Sequence, residues 1–327
     1  MTWLLTGGAG YIGAHVLRAL RADGVDVVVC DDLSTGIRGR VPADVPFVEA
    51  NVADVDRVLA ALREHRISGV LHLAARKAVP ESVADPALYY RENVVGFERL
   101  LTAMRAAGVA AIVHSSSAAV IGSPAAEQVD EDAPTEPENP YGRTKLICEW
   151  MLEDLAAAGE LNFVNLRYFN VAGAGAPELG DVGVFNLVPL IFRALENGTA
   201  PQVFGDDYPT RDGSCIRDYI HVTDLSLAHV AAVRQLDGRS GRIARTYNVG
   251  RGEGVTVKEV MAAVAAVTGR DFEYAVSPRR AGDPAQVVGV VDRIADELGW
   301  RARADLTDMV RSAWQAWQYR ATAGDQS

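Results

Sequence analysis

The feature that most restricts the fold is Thr6-Gly7-Gly8-Ala9-Gly10-Tyr11-Ile12-Gly13, a Gly8-x-Gly10-x-x-Gly13 turn between an apolar run at residues 1–5 and a helical pattern reaching to about residue 23. Strand, glycine turn and helix in this order predict a dinucleotide site. The glycines let the chain turn tightly, let a pyrophosphate approach the main chain, and let the helix pack close on the strand. The amino end of the helix then faces the diphosphate. A second apolar run, residues 25–30, ends at Asp31-Asp32, where Asp31 is placed to accept a hydrogen bond from an adenosine ribose. A carboxylate there repels a 2′-phosphate, so NAD is favoured over NADP; Arg38 and Arg40 are the residues that keep NADP open.

Strand and helix patterns continue to alternate. Strands are predicted near 46–50, 69–75, 111–114 and 162–169, with helices at 54–65, 86–107 and 141–158. This alternation means a Rossmann-type, doubly wound parallel α/β sheet, with ligands beyond the carboxyl ends of its strands. Those ends carry Ala74 and Lys77 after the fourth strand and Ser117, last of Ser115-Ser116-Ser117, after the fifth. Residues 118–139 are turn-rich and acidic, with Pro124, Pro134 and Pro137, and read as an ordered surface loop. A glycine-rich stretch at 171–184 marks a change of lobe. At 327 residues the chain exceeds one small core, so two lobes are expected: 1–175, and a smaller α/β lobe at 176–327 from which about 214–250 partly returns to the first. In the second half, helices are predicted at 187–197, 222–235, 257–268 and 306–320, with strands at 202–204, 245–249 and 272–276.

Tyr141-Gly142-Arg143-Thr144-Lys145 follows Asn139-Pro140, and Pro140 suits the first turn of a helix. Tyr141 and Lys145, four residues apart, then share one face. A free phenol titrates near pH ~10, but an adjacent cation favours the phenolate, so the spacing predicts a general base in Tyr141.

A net charge of -11 argues against non-specific binding to nucleic acid or an anionic membrane, while 49% hydrophobic and 23% charged residues are ordinary for a soluble enzyme. Cys30, Cys148 and Cys215 are far apart and form no Cys-x-x-Cys pair, so they are expected reduced and buried in a cytoplasmic protein. Neither a targeting signal nor a membrane-length apolar run is visible. The six histidines lack paired ligand spacing, and no metal is expected.

Thr6-Gly7-x-x-Gly10-x-x-Gly13, Ser117 and Tyr141-x-x-x-Lys145 together resemble the extended short-chain dehydrogenase/reductases. Within them the chain is most similar to the UDP-glucose 4-epimerases over nearly its whole length. The similarity runs through His72-Leu73-Ala74-Ala75, Lys77-Ala78-Val79-Pro80-Glu81-Ser82 and Arg167-Tyr168-Phe169-Asn170. It continues in Phe204-Gly205-Asp206-Asp207-Tyr208-Pro209-Thr210, Arg217-Asp218-Tyr219-Ile220-His221-Val222 and Pro278-Arg279-Arg280-Ala281-Gly282-Asp283.

The resemblance implies a redox-neutral inversion at carbon 4 of a UDP-hexose, between UDP-galactose and UDP-glucose, through a 4-keto sugar with NAD kept bound. Tyr141 would take the hydroxyl proton, Lys145 would lower the Tyr141 pKa and hold the nicotinamide ribose, and Ser117 would bond the reacting oxygen. For NAD it implies Gly7, Gly10, Tyr11, Ile12, Gly13, Asp31, Asp32, Asn51, Val52, Ala74, Lys77, Asn93 and Phe169, besides Tyr141 and Lys145. For the UDP-sugar it implies Lys77 and Ser117, Asn170 at phosphate or sugar, Asn186 and Leu187 at the diphosphate, and Phe204 near uracil. Arg217, Arg280 and Asp283 fall to phosphate and ribose. An arginine fork suits a diphosphate because it bonds two oxygens at once.

The chain departs from the pattern at Asn51, where Asp is more common against the adenine amino group, and at Ile121, where Tyr is common. Val287, intermediate in size, stands where similar enzymes decide whether an N-acetyl group enters, so admission of a UDP-N-acetylhexosamine stays open. A sibling epimerase acting on UDP-N-acetylglucosamine, UDP-glucuronate or UDP-xylose is the alternative, although the motif from Phe204 to Val222 favours the glucose and galactose pair. A 4,6-dehydratase needs an Asp-Glu pair after the serine, whereas Ala118-Ala119 follow Ser117. A non-catalytic NAD-sensing protein commonly loses the Tyr or Lys that this chain retains. The helical stretches at 86–107 and 141–158 resemble those of the family's dimer interface, so a homodimer is expected.

Overall fold

A computed structural model describes residues 1–237, 241–280 and 283–324. Its strands in chain order are β1 Thr2–Thr6, β2 Asp26–Asp31, β3 Phe47–Glu49, β4 Gly69–His72, β5 Ala111–Ser117, β6 Asn162–Tyr168 and β7 Asn170–Ala172. These are followed by β8 Gln202–Phe204, β9 Ile216–His221, β10 Ala244–Val249, β11 Gly254–Thr256, β12 Ala275–Ser277 and β13 Gln286–Val287. The helices are α1 Tyr11–Ala22, α2 Val55–Glu64, α3 Val79–Ala84, α4 Pro86–Tyr89, α5 Gly96–Ala107 and α6 Pro140–Ala157. After them come α7 Leu187–Glu196, α8 Val222–Asp237, α9 Val257–Thr268, α10 Asp292–Leu298 and α11 Leu306–Gly324.

The main sheet runs β10-β6-β5-β4-β1-β2-β3. β1 pairs in parallel with both β2 and β4, and the outer pairs β2·β3 and β4·β5 are parallel too. Strands covered on both faces read as unbroken apolar runs, and Trp3, Leu4 and Leu5 of β1 are fully buried. The chain leaves β1 on one side for β2 and β3, then crosses to the other side for β4. The β1/β4 boundary is therefore the switch point where a doubly wound sheet opens a ligand crevice at its carboxyl edge.

The chain divides into two compact units. The first comprises Met1–Ile121, Thr135–Arg167 and Ser226–Tyr247; the second comprises Gly122–Pro134, Tyr168–Leu225 and the chain from Asn248 onward. The change of unit at 167/168 comes a few residues before the expected 175, and the returning segment, 226–247, lies inside the expected 214–250. Leu4, Val28, Val70, Phe97, Leu100, Ile112 and Leu152 belong to the first core. In the second unit, β9 is the central strand, antiparallel to β11 and parallel to β13 and β7. Val188, Phe192, Val260, Met261, Met309 and Trp317 from α7, α9 and α11 build its core.

Two expectations need correction. The helix predicted over 86–107 is interrupted: α4 gives way to a π-helical turn, Tyr90–Val95, before α5. The interruption carries Asn93, whose amide donates to the Arg76 carbonyl at 3.0 Å and to Thr144 Oγ1 at 3.1 Å and whose oxygen accepts from Arg76 N–H at 2.8 Å. A wider turn is a familiar means of aiming one side chain out of helical phase. β9 is absent from the predicted strands because Arg217 and Asp218 break its apolar pattern; the structure buries both the strand and Asp218.

Candidate active site

At the glycine turn, Gly7 has φ +72° and a Cβ there would lie 2.7 Å from Ala74 N; one on Gly13 would lie 2.1 Å from Gly7 O. Both positions therefore exclude side chains, and Gly7, Gly13 and Ala74 form one bare main-chain cradle. Asp31 closes it: its carboxylate accepts from Ala9 N–H and Leu33 N–H, each at 2.9 Å, with Leu33 in the left-handed region at φ 58°. Burial pushes the Asp31 carboxyl above its usual range against those two bonds. Asp32 is partly buried, yet hydrogen bonds from Ser34 and from Asn51 Nδ2 (2.8 Å) hold it below that range.

The Asn51 oxygen, expected to face adenine, accepts from Ala53 N–H at 2.9 Å. Val52 and Tyr11 are buried, and Lys77 Nζ stands 5.7 Å from the centre of the Tyr11 ring. Asn93 is buried, and its amide braces Arg76 and Thr144. A side-chain-free cradle closed by a carboxylate fits a dinucleotide pyrophosphate and ribose.

The second group of residues is organised by α6. Asn139 caps it by accepting from Gly142 N–H at 2.9 Å, and Pro140 occupies its first turn, where a missing N–H costs nothing. Tyr141, Lys145 and Glu149 follow at four-residue spacing on a face that is buried throughout. Ser117, at the end of β5, hydrogen-bonds the Tyr141 phenol, and Lys145 Nζ donates to Ser115 O at 2.8 Å. Tyr89 meets the Tyr141 ring edge to face at 6.5 Å.

The electrostatics differ from the expectation of a lowered phenol. Burial pushes the Tyr141 phenol up, and the bond from Ser117 pulls against it. Burial also lowers the Lys145 ammonium to about 8, against the opposing influence of Cys148 and Glu149. The reason is desolvation: a face that buries both groups disfavours phenolate and ammonium alike.

In the second unit, a cavity of about 550 Å³ is lined by Asn170, Asn186, Leu187, Phe204, Arg217, Arg280 and Asp283, together with Cys215, Tyr219 and the start of α7. Seven of the nine residues expected to bind the UDP-sugar thus meet in one space; Ser117 and Lys77 belong to the first unit. Arg217 is ion-paired with Asp283, and the Arg280 guanidinium lies 3.8 Å from the centre of the Phe204 ring. Asn170 Nδ2 donates to Asp218 O at 3.1 Å, and Asn186 Nδ2 to Asp181 at 2.9 Å. Phe169 packs so closely on Gly289 that a Cβ there would lie 2.6 Å from its ring. Ala281 and Gly282, within the expected motif, lie outside the described residues. An aromatic wall, two guanidiniums and a helix amino end suit an anionic nucleotide.

Residues 3–250 match the NAD dependent epimerase/dehydratase family. The chain belongs to that family. Its relatives include a UDP-glucose 4-epimerase of Azospirillum brasilense, 45% identical over 95% of this chain and 90% of that protein. Another, of Corynebacterium glutamicum, is 42% identical over 100% of this chain and 98% of that protein. Among solved structures, UDP-glucose-4-epimerase from Stenotrophomonas maltophila with bound NAD and formylated UDP-arabinopyranose superposes with a TM-score of 0.94 at 42% identity, covering 99% of both chains. That from Bifidobacterium longum in complex with NAD+ and UDP gives 0.90 at 36% identity, covering 99% of this chain and 100% of that one.

Two residues of this NAD dependent epimerase/dehydratase family member carry more than their place in the sequence suggests. Glu149 is fully buried, accepts from Ser116 Oγ at 2.5 Å, and takes both arms of Arg167, at 3.0 Å from Nε and 2.6 Å from Nη2. Asp218, also fully buried, accepts from the main-chain N–H groups of Arg251 (2.9 Å), Gly252 (3.0 Å) and Gly289 (3.3 Å). The available signal for Glu149 was its place four residues after Lys145 on the same face. For Asp218 it was its place beside Arg217 between the apolar residues Ile216 and Tyr219-Ile220.

Proposed function

We propose that this protein interconverts UDP-galactose and UDP-glucose by inverting carbon 4 through a 4-keto sugar. The observation that carries the reading is that one chain holds the buried Ser117–Tyr141–Lys145 cluster, the dinucleotide cradle and the cavity of Phe204, Arg217, Arg280 and Asp283. Each relative named above is a UDP-glucose 4-epimerase, which supports the same reading.

Gly7, Gly10, Tyr11, Ile12, Gly13, Asp31, Asp32, Asn51, Val52, Ala74, Lys77, Asn93 and Phe169 would hold NAD or shape its site. Bound NAD supplies the acceptor and then the donor of the carbon 4 hydride, and its positive charge when oxidised favours the Tyr141 phenolate. Tyr141 takes the proton from the sugar 4-hydroxyl and returns it after inversion. Ser117 donates to the oxygen that changes charge, and Lys145 sets an ammonium beside the phenolate. Arg217 and Arg280 hold the diphosphate and ribose, Asn186 and Leu187 present the amino end of α7, and Phe204 gives uracil an apolar face.

The test is NMR of parallel incubations of the purified protein, without added cofactor, with UDP-glucose, UDP-N-acetylglucosamine and UDP-glucuronate. UDP-galactose should form from UDP-glucose; no epimer from any of the three removes the assignment, and turnover of the uronate alone moves it to a sibling substrate.

We also propose a cytoplasmic homodimer. Cys30, Cys148 and Cys215 are free and buried, which suits a reducing compartment. Among the described residues no helix is long and apolar enough to cross a membrane. Tyr90, Val95 and Trp150 are exposed on the adjoining segments Tyr90–Val95 and α6, an apolar surface that a second copy would cover. Trp150→Glu should convert the dimer to a monomer in light scattering, and an unchanged mass in that variant would remove this surface from the interface.

A further inference from the structure

The last three residues of β5 each hold a different partner. Ser115 O accepts from Lys145 Nζ at 2.8 Å, Ser116 Oγ donates to Glu149 at 2.5 Å, and Ser117 meets the Tyr141 phenol. The three partners are successive members of the buried stripe on α6, so the strand end and the helix are fastened residue by residue. Only the middle fastening reaches farther: Glu149 is gripped by both arms of Arg167 on β6. One carboxylate thus ties α6, β5 and β6 together behind the reactive pair.

Its charge also acts on Lys145. Among the described residues, the other titratable groups that act on that ammonium are Cys148 on α6, His72 on β4 and His114 on β5, while His229 on α8 bonds the Ser115 hydroxyl at 2.8 Å. Burial holds His72 neutral at about 3, drives His114 well below its ordinary value, and pushes the Cys148 thiol up to about 12. Near neutral pH these groups carry no charge, nor does the Tyr141 phenol in the protein alone. Cys148 and Glu149 both favour the Lys145 ammonium, and of the two only Glu149, one helical turn beyond it, is a carboxylate held in an ion pair, with Arg167 on β6.

We propose that Glu149, locked by Arg167 and Ser116, is the positioning residue of the reactive cluster: it fixes the β5 end against α6 and supplies the buried negative charge that keeps Lys145 an ammonium. The inference rests on the epimerase reading for its catalytic meaning but not for its test, which measures Lys145 itself. The chain contains only three lysines, Lys77, Lys145 and Lys258, so ε-carbon-labelled lysine gives three NMR resonances, with that of Lys145 identified by its loss in Lys145→Met.

In the wild-type protein Lys145 should titrate at about 8. In Glu149→Gln it should titrate about one pH unit lower. A Glu149→Gln, Arg167→Met double variant removes the unpaired guanidinium and should recover the melting temperature while Lys145 still titrates below the wild type. In turnover, both variants should lose activity at a lower pH than the wild type on the alkaline side, with KM unchanged.

An unaltered Lys145 titration in folded Glu149→Gln overturns the proposal. So does a double variant in which stability and Lys145 titration return together, the signature of a purely structural pair. Should Glu149→Gln not fold, the double variant carries the test by itself: a wild-type Lys145 titration there overturns the proposal, and a lowered one supports it. A wild-type protein with no epimerase activity would remove the functional reading and leave the Lys145 measurement standing.

Discussion

The Lys145 ammonium donates to the main-chain oxygen of Ser115, two residues before the serine whose hydroxyl meets the Tyr141 phenol. The end of β5 thus holds the phenol and the ammonium of α6 through two of its serines, and in the proposed mechanism Tyr141 is the member that exchanges a proton with a sugar hydroxyl. Tyr141→Phe removes only the oxygen from a buried ring. Turnover of UDP-galactose should fall by about 10²–10⁴-fold while bound NAD and the melting temperature are kept. Wild-type turnover in this variant would take Tyr141 out of the base role.

Gly13→Ala tests the cradle. The new methyl would lie 2.1 Å from Gly7 O and 2.8 Å from Gly8 Cα, both main-chain positions that no side-chain rotation relieves. The variant should lose about 3 kcal/mol of stability in urea unfolding and should be purified without NAD. Retention of both would show that the turn and α1 have room to separate.

The cavity proposed to take the nucleotide is tested at Arg280, whose guanidinium covers the Phe204 ring. Arg280→Ala should weaken UDP binding by about 10–100-fold, measured calorimetrically, with no loss of NAD. Arg217→Lys should also weaken it, because an ammonium cannot keep the planar fork that pairs with Asp283 and also bonds Ile216 O. An unchanged UDP affinity in both variants would move the nucleotide out of this cavity.

Asp218 predicts a pH dependence of stability. Burial raises its carboxyl to about 6, against the three main-chain N–H groups that favour its charged form. Between its unfolded value near 4 and about 6, the folded chain holds a proton that the unfolded chain has released. This group's contribution is therefore full below pH ~4, is lost as pH rises through about 6, and is constant above that. Relative to Asp218→Asn, the wild type should gain up to about 3 kcal/mol on going from pH 7 to pH 4, read from paired thermal or urea melts. A constant difference between the two proteins would mean that the N–H groups outweigh burial.

Local patterns made much of this molecule legible before its structure. The glycine spacing, Asp31 and the strand-helix alternation are short-range signals, and the main sheet follows them closely. Tyr141 and Lys145 were visible as a spacing, and Pro140 with Asn139 announced the helix that carries them. Harder to read were places where a polar group is buried against its own propensity. Asn93 draws a predicted helix into a π turn, and Asp218 hides β9 inside a charged run. The sign of the Tyr141 shift was missed for the same reason: a neighbouring cation is apparent in sequence, whereas the desolvation that opposes it is not.

The sequence by itself determined the class of fold, the glycine turn of the dinucleotide cradle and the four-residue spacing that puts Tyr141 and Lys145 on one face, because each depends on neighbours within one turn, one strand or one helix face. Only the tertiary structure decided that Glu149 is gripped by Ser116 and Arg167, that Asp218 holds the loops of Arg251 and Gly289, and that Asn170, Asn186, Phe204, Arg217, Arg280 and Asp283 share one cavity. The contacts of Glu149 and Asp218 join residues 18 to 71 positions apart, and the cavity gathers residues from Asn170 to Asp283. Their energies come from burial and from charge in a low-dielectric interior, and both exist only once the strands and helices have packed.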